Sequence, residues 1–278
     1  MSRNTLIISI LSLSIIAITV FYLRANGQEN EAVIVAPDVK YELIWEDNFS
    51  GNEIDWTKWS KCKRYPPHWC SHMTDDERLY ELRNGRLRLY CLRNDGILPN
   101  DTASVLTGGL TTRDKFTFGF GKVEVRARMT GAMGCWPAIW IHNTERGDDN
   151  INRGEIDLVE HYNHDKIIHH TVHNYYNGYQ KSQKHDDFHF SYDVNVKKWN
   201  TYSVEILPES LIIKVNNKIS AIYPKISNPS IQGQYPYGSP SFLILSMQWA
   251  NPWLKDLRPE ELPSWMEIDW VRVYKISP

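Results

Sequence analysis

KVEVRARM, residues 122–129, sets Val123, Val125, Ala127 and Met129 against Lys122, Glu124, Arg126 and Arg128 without a break in the alternation. Successive side chains of a strand point to opposite faces, so this segment reads as a half-buried antiparallel strand. Working outward, residues 202–207, 211–215 and 218–223 repeat the pattern with tight turns between them, and Asn216-Asn217 tolerates the positive φ that such a turn needs. Residues 242–249 and 266–276 close the series. No segment past residue 40 keeps helical periodicity beyond a turn or two; residues 75–82 and 258–262 come nearest. Many short strands with turn signals between them predict an all-β fold, a two-sheet antiparallel β-sandwich bent so that one concave face forms a substrate cleft. No internal repeat, low-complexity stretch or second domain is visible.

GEIDLVEH, residues 154–161, puts three carboxylates on one short apolar run. On a strand Glu155 and Asp157 share a face, with Ile156 and Leu158 opposite. Strict alternation would send Glu160 to the apolar side, where a carboxylate is costly. A one-residue bulge near Leu158 and Val159 returns it to the acidic face. Carboxylates this close cannot all ionise near neutral pH, so one holds a proton while another stays charged. Glycoside hydrolysis with retention asks for that pair, a carboxylate nucleophile and a carboxylic acid, and Asp157, between Glu155 and Glu160, can hydrogen-bond the nucleophile and hold the shared proton. The competing readings are an acidic solvent face of an edge strand and an oxygen-ligand metal site.

The chain has 278 residues, 42% hydrophobic, and a formal charge of −2, which suffices for one full core and speaks against general nucleic-acid binding. Its 11 Trp and 15 Tyr exceed what packing asks for in Gly/Pro-rich connections, and flat rings stack on sugar faces. In residues 136–140 (WPAIW) two Trp flank Ala138 on one face, leaving a slot wide enough for a sugar. Residues 1–27 read as export machinery. The apolar stretch 6–23 spans roughly 27 Å at 1.5 Å per residue, and cleaved signal and uncleaved anchor both remain open. Residues 28–40 read as a polar tether and 41–278 as the catalytic domain. The expected location is therefore periplasmic or extracellular, tethered if the segment stays, with a monomer as the default. In an exported chain Cys62 and Cys70, flanking one loop, suit a disulfide; Cys91 reads as a buried thiol and Cys135 as either. No zinc spacing is present.

Taken together, WEDNFSG (45–51), LTGGLTTRDKFTFGFGKVEVRARM (106–129), GCWPAIW (134–140), GEIDLVEH (154–161) and MEIDWVRVY (266–274) resemble glycoside hydrolase family 16, the β-jelly-roll endo-glycosidases that include laminarinases. The resemblance runs from Tyr41 to about Ile276. It implies Glu155 as nucleophile, Asp157 as assisting acid and Glu160 as acid/base, matching the roles argued from strand geometry. It further implies sugar contacts at Trp136 and Trp140, with His173 beside the acids; His161, His169 and His170 read as structural. Asp269 matches a position whose carboxylate often binds a structural calcium in the family. No catalytic cofactor is implied.

The bulged E-x-D-x-x-E form resembles the laminarinase, agarase, carrageenase and endo-β-galactosidase side of the family rather than lichenases. Two departures bear on substrate. Asn48 replaces the usual acidic residue of the opening motif, and residues 247–253 (MQWANPW) stand where many laminarinases have a Gly-Gly segment, placing Gln248, Trp249 and Trp253 as further substrate contacts. The first expectation is a β-1,3-glucan of laminarin type, the second a galactan or host poly-N-acetyllactosamine glycan. From a different class comes a carbohydrate-binding protein without chemistry, and transglycosylation is a third outcome of the same intermediate. Lys61, Lys63, Arg64, Lys181 and Lys184 are either solvated loop charges or contacts for a sulfated or sialylated chain.

Overall fold

The computed structural model of the protein describes residues 39–65, 68–144, 150–178, 188–251 and 253–278, with the backbone of four short strands between Thr19 and Val35. The strand Gly121–Met129 shows the predicted alternation of buried and half-buried residues along its whole length. We number strands from Tyr41–Asp47 (β1). They continue as Ser60–Lys61 (β2), Tyr80–Leu82 (β3), Leu87–Arg93 (β4), Val105–Thr107 (β5), Gly109–Thr111 (β6), Gly121–Met129 (β7), Ala138–Asn143 (β8), Gly154–Glu160 (β9) and Ile167–Asn174 (β10). His189–Asp193 (β11), Asn200–Ile206 (β12), Ser210–Val215 (β13), Lys218–Pro224 (β14), Ser241–Ser246 (β15) and Ser264–Ile276 (β16) complete the domain.

Two antiparallel sheets form a sandwich. One has the order β11-β10-β9-β8-β15-β6-β2; the other runs β14-β13-β12-β7-β16-β4-β3, with β1 added on β16 and β5 on β4. Between them lies one continuous core that includes Val123, Val125, Ile139, Ile156, Val204 and Leu245. At about 25 cal/mol per Å² of apolar surface removed from water, this core dominates the stability of the fold. The outer face of the second sheet is polar, and Glu267 there is bracketed by Arg88 and Arg128 at 2.9 and 2.6 Å.

The first sheet differs, because β8 and β15 are buried on both faces. Their inner side chains enter the core. Their outer ones, Ala138, Trp140, Phe242 and Ile244, form a second, smaller apolar cluster with Cys62, Cys70 and Met73. That cluster is roofed by Cys62, Trp69, Cys70 and Met73, and this stretch is tied down by Arg64 to Asp101 at 2.8 Å and by the Cys62 amide to the Gly109 carbonyl at 2.8 Å. The expected Cys62 to Cys70 bridge is not present. All four cysteines are buried thiols outside any disulfide, and Cys70 donates to the Tyr65 carbonyl at 2.9 Å. Cys135 lies in the core against Cys91, its thiol hydrogen-bonded to that neighbour.

Several boundaries differ from the sequence reading. Of residues 75–82 only Glu77–Leu79 is a 3-10 turn, capped by Asp76, and the chain then enters β3; of residues 258–262 only Pro259–Glu261 is helical. The β15 ladder ends at Ser246, and Trp249 rejoins the fold through an isolated bridge to Cys135. Tyr175–Gly178 forms a helical turn directly after β10. Asn216 and Asn217 take φ of 51° and 64°, as the turn demands. In the N-terminal region Thr19–Phe21 pairs with Val33–Val35 and Arg24–Ala25 with Gln28–Glu29, so part of the expected tether is paired backbone. Most of the apolar stretch 6–23, with Lys181 and Lys184, lies outside the described residues. Among the described residues no helix is long and apolar enough to cross a membrane.

Candidate active site

The acidic strand β9 carries the expected bulge. Glu155 faces His142, Ile156 faces Ile141 and Asp157 faces Trp140, but Ile139 then faces Val159 and Ala138 faces Glu160. Leu158 is the extra residue, and it shares the core with Ile156 and Val159. Glu155, Asp157 and Glu160 consequently line one cleft lobe of about 580 Å³, together with Trp136 and Trp140 of the preceding segment.

Glu160 is buried. It accepts from Trp136 Nε1 at 2.8 Å and from Thr171 Oγ1 at 3.2 Å, and the Tyr162 hydroxyl also bonds it. Burial, followed by the nearby charge of Asp157, pushes its carboxyl up to about 8, so it holds a proton at neutral pH. Asp157 is raised to about 6, again chiefly by burial, with Glu155 adding to the rise. His173 Nε2 lies 3.3 Å from Asp157 Oδ2. Burial would lower this imidazole, but the Asp157 hydrogen bond and charge outweigh it and raise it to about 9. Between about pH 6 and 9 the two form an ion pair. Glu155 is the most open of the three acids and faces two cationic or potentially cationic groups, Arg153 Nη2 at 3.4 Å and His142 Nε2 at 3.7 Å.

Gln248 enters the same lobe. Its Nε2 donates to Ser246 Oγ at 2.9 Å, which also accepts from Trp140 Nε1 at 3.1 Å, while its buried Oε1 has no hydrogen-bond partner. Trp253 is 57% exposed and packs edge-on against Trp136 with ring centres 5.3 Å apart, offering a free face. Trp249 does not join them. It is buried in the core, where Gly134, at a φ of 100° that favours glycine, lets the backbone pass its ring, while Gln248 beside it lines the cleft. Asp269 is likewise not a cation cradle. It accepts from Arg86 Nε at 3.3 Å and Arg126 Nη1 at 2.8 Å on the outer sheet, and two guanidinium groups oppose a bound dication. Among the described residues the one group able to offer three metal ligands is Glu155, Asp157 and His173, inside the cleft itself.

Sequence reasoning missed His142, Arg153, Tyr162 and Thr171 around the acids, and Trp69, which packs edge-on against Trp140 at 4.8 Å. His142 was within reach, since it follows Trp140 by two on the same strand. Trp69 arrives from the distant roofing segment, where no periodicity signals its direction.

The cleft extends beyond Glu155, Trp140 and Trp69 into a second lobe of about 730 Å³ over β8, β15, β6 and β2. With this geometry in view, the sequence profile described as Glycosyl hydrolases family 16 matches residues 73–272. The chain belongs to glycosyl hydrolase family 16. Among similar proteins, a keratan-sulfate endo-1,4-beta-galactosidase of Sphingobacterium multivorum is 34% identical over 243 residues, spanning 85% of this chain and 56% of that protein. A family 16 likeness of longer reach is the beta-glucanase of Rhodothermus marinus, 26% identical across 84% of this chain and 85% of that one. The X-ray structure of the laminarinase from Rhodothermus marinus superimposes with a TM-score of 0.74 at 25% identity, covering 87% of this chain and 100% of the other. The fold of this family 16 chain is the jelly roll of those neighbours.

Proposed function

We propose that the chain is a retaining endo-β-glycosidase whose first substrate class is a β-linked galactan of the poly-N-acetyllactosamine type. The observation that carries the chemistry is Glu160, buried, held by Trp136 and protonated at neutral pH, on the same strand face as the more open Glu155. Glu155 attacks the anomeric carbon as the glycosidic carbon–oxygen bond breaks, and the Glu160 proton passes to the departing sugar oxygen. Water then enters, gives its proton to Glu160 and its oxygen to the anomeric carbon, and releases Glu155. Asp157, paired with His173, steadies the charge between the two. Retention follows from two inversions at one carbon.

The substrate class is supported by the 34% identical galactosidase and by the cleft end, where Gln248 and Trp253 add an acceptor and a ring. Gln248 Oε1, buried and without a partner, suits a sugar hydroxyl or an N-acetyl N–H. A β-1,3-glucan is the second reading, favoured by the beta-glucanase likeness over 85% of that protein. The apolar stretch 6–23 supports export.

The test is product analysis on laminarin, mixed-linkage glucan, agarose, carrageenan and poly-N-acetyllactosamine, with Glu155→Ser alongside. Internal cuts in poly-N-acetyllactosamine by the native chain alone are expected. Cuts confined to laminarin move the assignment to glucan. Binding without turnover by both proteins points to a carbohydrate-binding protein, and products longer than the starting oligosaccharide to transglycosylation.

A further inference from the structure

The second lobe of the cleft carries two cations that form no ion pair among the described residues. Lys61, Lys63, Arg113 and Arg153 border it, against Asp114 and Glu155. Lys61 is occupied by the Glu77 carboxylate and the Asp75 carbonyl, each at 2.6 Å, and Arg153 lies against Glu155. Arg64, next along the roofing segment, is held by Asp101. Lys63 and Arg113 are exposed and form no ion pair among the described residues; Asp114, though adjacent in sequence, stands outside ion-pair distance.

Arg113 is also placed. Its guanidinium lies over the Phe242 ring, 5.2 Å from the centre, and Phe242 is buried and stacks on His142 at 5.8 Å. His142 in turn faces Glu155. An arginine laid on a fixed ring loses less freedom on meeting a ligand, and the fork of its N–H donors is left to the lobe. A neutral sugar chain makes no use of two cations without ion-pair partners among the described residues in the lobe that Glu155 also lines. An anionic substituent does.

We infer that Lys63 and Arg113 form a subsite for a sulfate ester on the galactan chain, a specificity element that rests on the galactan reading above. A sulfate monoester spreads its charge over three oxygens, which accept paired bonds from the guanidinium fork and a third from the ammonium. Tyr65 and Trp69, which line the same lobe, supply rings for the sugar that carries it. A carboxylated sugar presents a planar anion to the same fork, and the test separates the two.

Keratan sulfate, its desulfated form and a sialylated poly-N-acetyllactosamine are offered to the Glu155→Ser chain for binding and to the otherwise native chain for hydrolysis. Each measurement is repeated with Lys63→Ala/Arg113→Ala and with a charge-matched control on exposed lysines far along the chain, Lys198→Ala/Lys218→Ala. Sulfated glycan is expected to bind about tenfold more tightly than desulfated, as one or two charge-assisted bonds provide. The cleft pair of substitutions is expected to erase that ratio and the control pair to leave it. Equal binding of the two glycans, a sulfate preference that survives the cleft pair, or a stronger preference for the sialylated chain each overturns the inference. If no galactan is cut while sulfate-dependent binding still follows Lys63 and Arg113, the galactosidase reading fails and the subsite stands.

Discussion

In the proposed mechanism Glu160 donates to a leaving oxygen only while it holds its proton, and its neighbours set how long that lasts. Hydrogen bonds donated to a carboxylate favour its ionised form, so the Trp136 indole works against the burial that raises Glu160 to about 8. Trp136→Phe keeps a ring and removes the donor. The alkaline limb of kcat/KM, expected near pH 8, should then move upward; a limb that stays put assigns it to another group. The same ionisation bears on stability. Because the folded carboxyl binds its proton more tightly than the ordinary Glu value of 4.5, stability is full below about pH 4.5 and declines as pH rises through about 8. Glu160→Gln is expected to melt above the native chain by a margin that widens between pH 5 and pH 9, reaching on the order of 5 kcal/mol. An equal margin at both pH values would count against burial as the cause. At this scale the three acids and Trp140 were legible, because strand alternation with one bulge fixes which residues share a face; Trp136 lies before β8 and is placed in the cleft by its bond to Glu160. Arg153, Tyr162 and Thr171 were not, since each depends on how neighbouring strands or the chain beyond a strand end are placed.

The bulge of β9 inserts Leu158 between two paired stretches without changing their count. From His142 to Ala138 the partner strand advances four positions while β9 advances five residues. Deleting Leu158 would make the ladder continuous and leave Glu155, Asp157 and Glu160 on the cleft face, four positions end to end. The deleted chain is expected to retain hydrolysis while losing about 2–5 kcal/mol of stability with one core side chain. Loss of turnover with the fold and melting cooperativity intact would mean that the bulge tunes the carboxylate pose beyond register. The bulge was legible because a buried carboxylate is dear and a kinked strand is not. Trp249 escaped for the opposite reason: the β15 ladder ends three residues before it, and outside a ladder the face of a side chain follows local backbone rather than period.

The two lobes meet at Trp69, Trp140 and Glu155 and form one trough across the first sheet. Such a trough admits a polymer at any point along its length, so on a high-mass substrate viscosity is expected to fall well before reducing ends accumulate. Release of small sugars from chain ends at the outset would contradict it. The sandwich itself was readable from alternation. The roofing segment from Cys62 to Met73, which shapes the second lobe, was not, because its apolar residues answer to a surface assembled from strands far away in sequence. That trough lies crosswise to its strands, from β11 to β2. Each sugar along it therefore meets a different stretch of chain. On the readings proposed above, the acids and the residues that meet a substituent on the chain reside in separable parts of the gene, and a change of a few codons near 63 and 113 is expected to re-address the protein to a differently adorned polymer while the acids stay as they are.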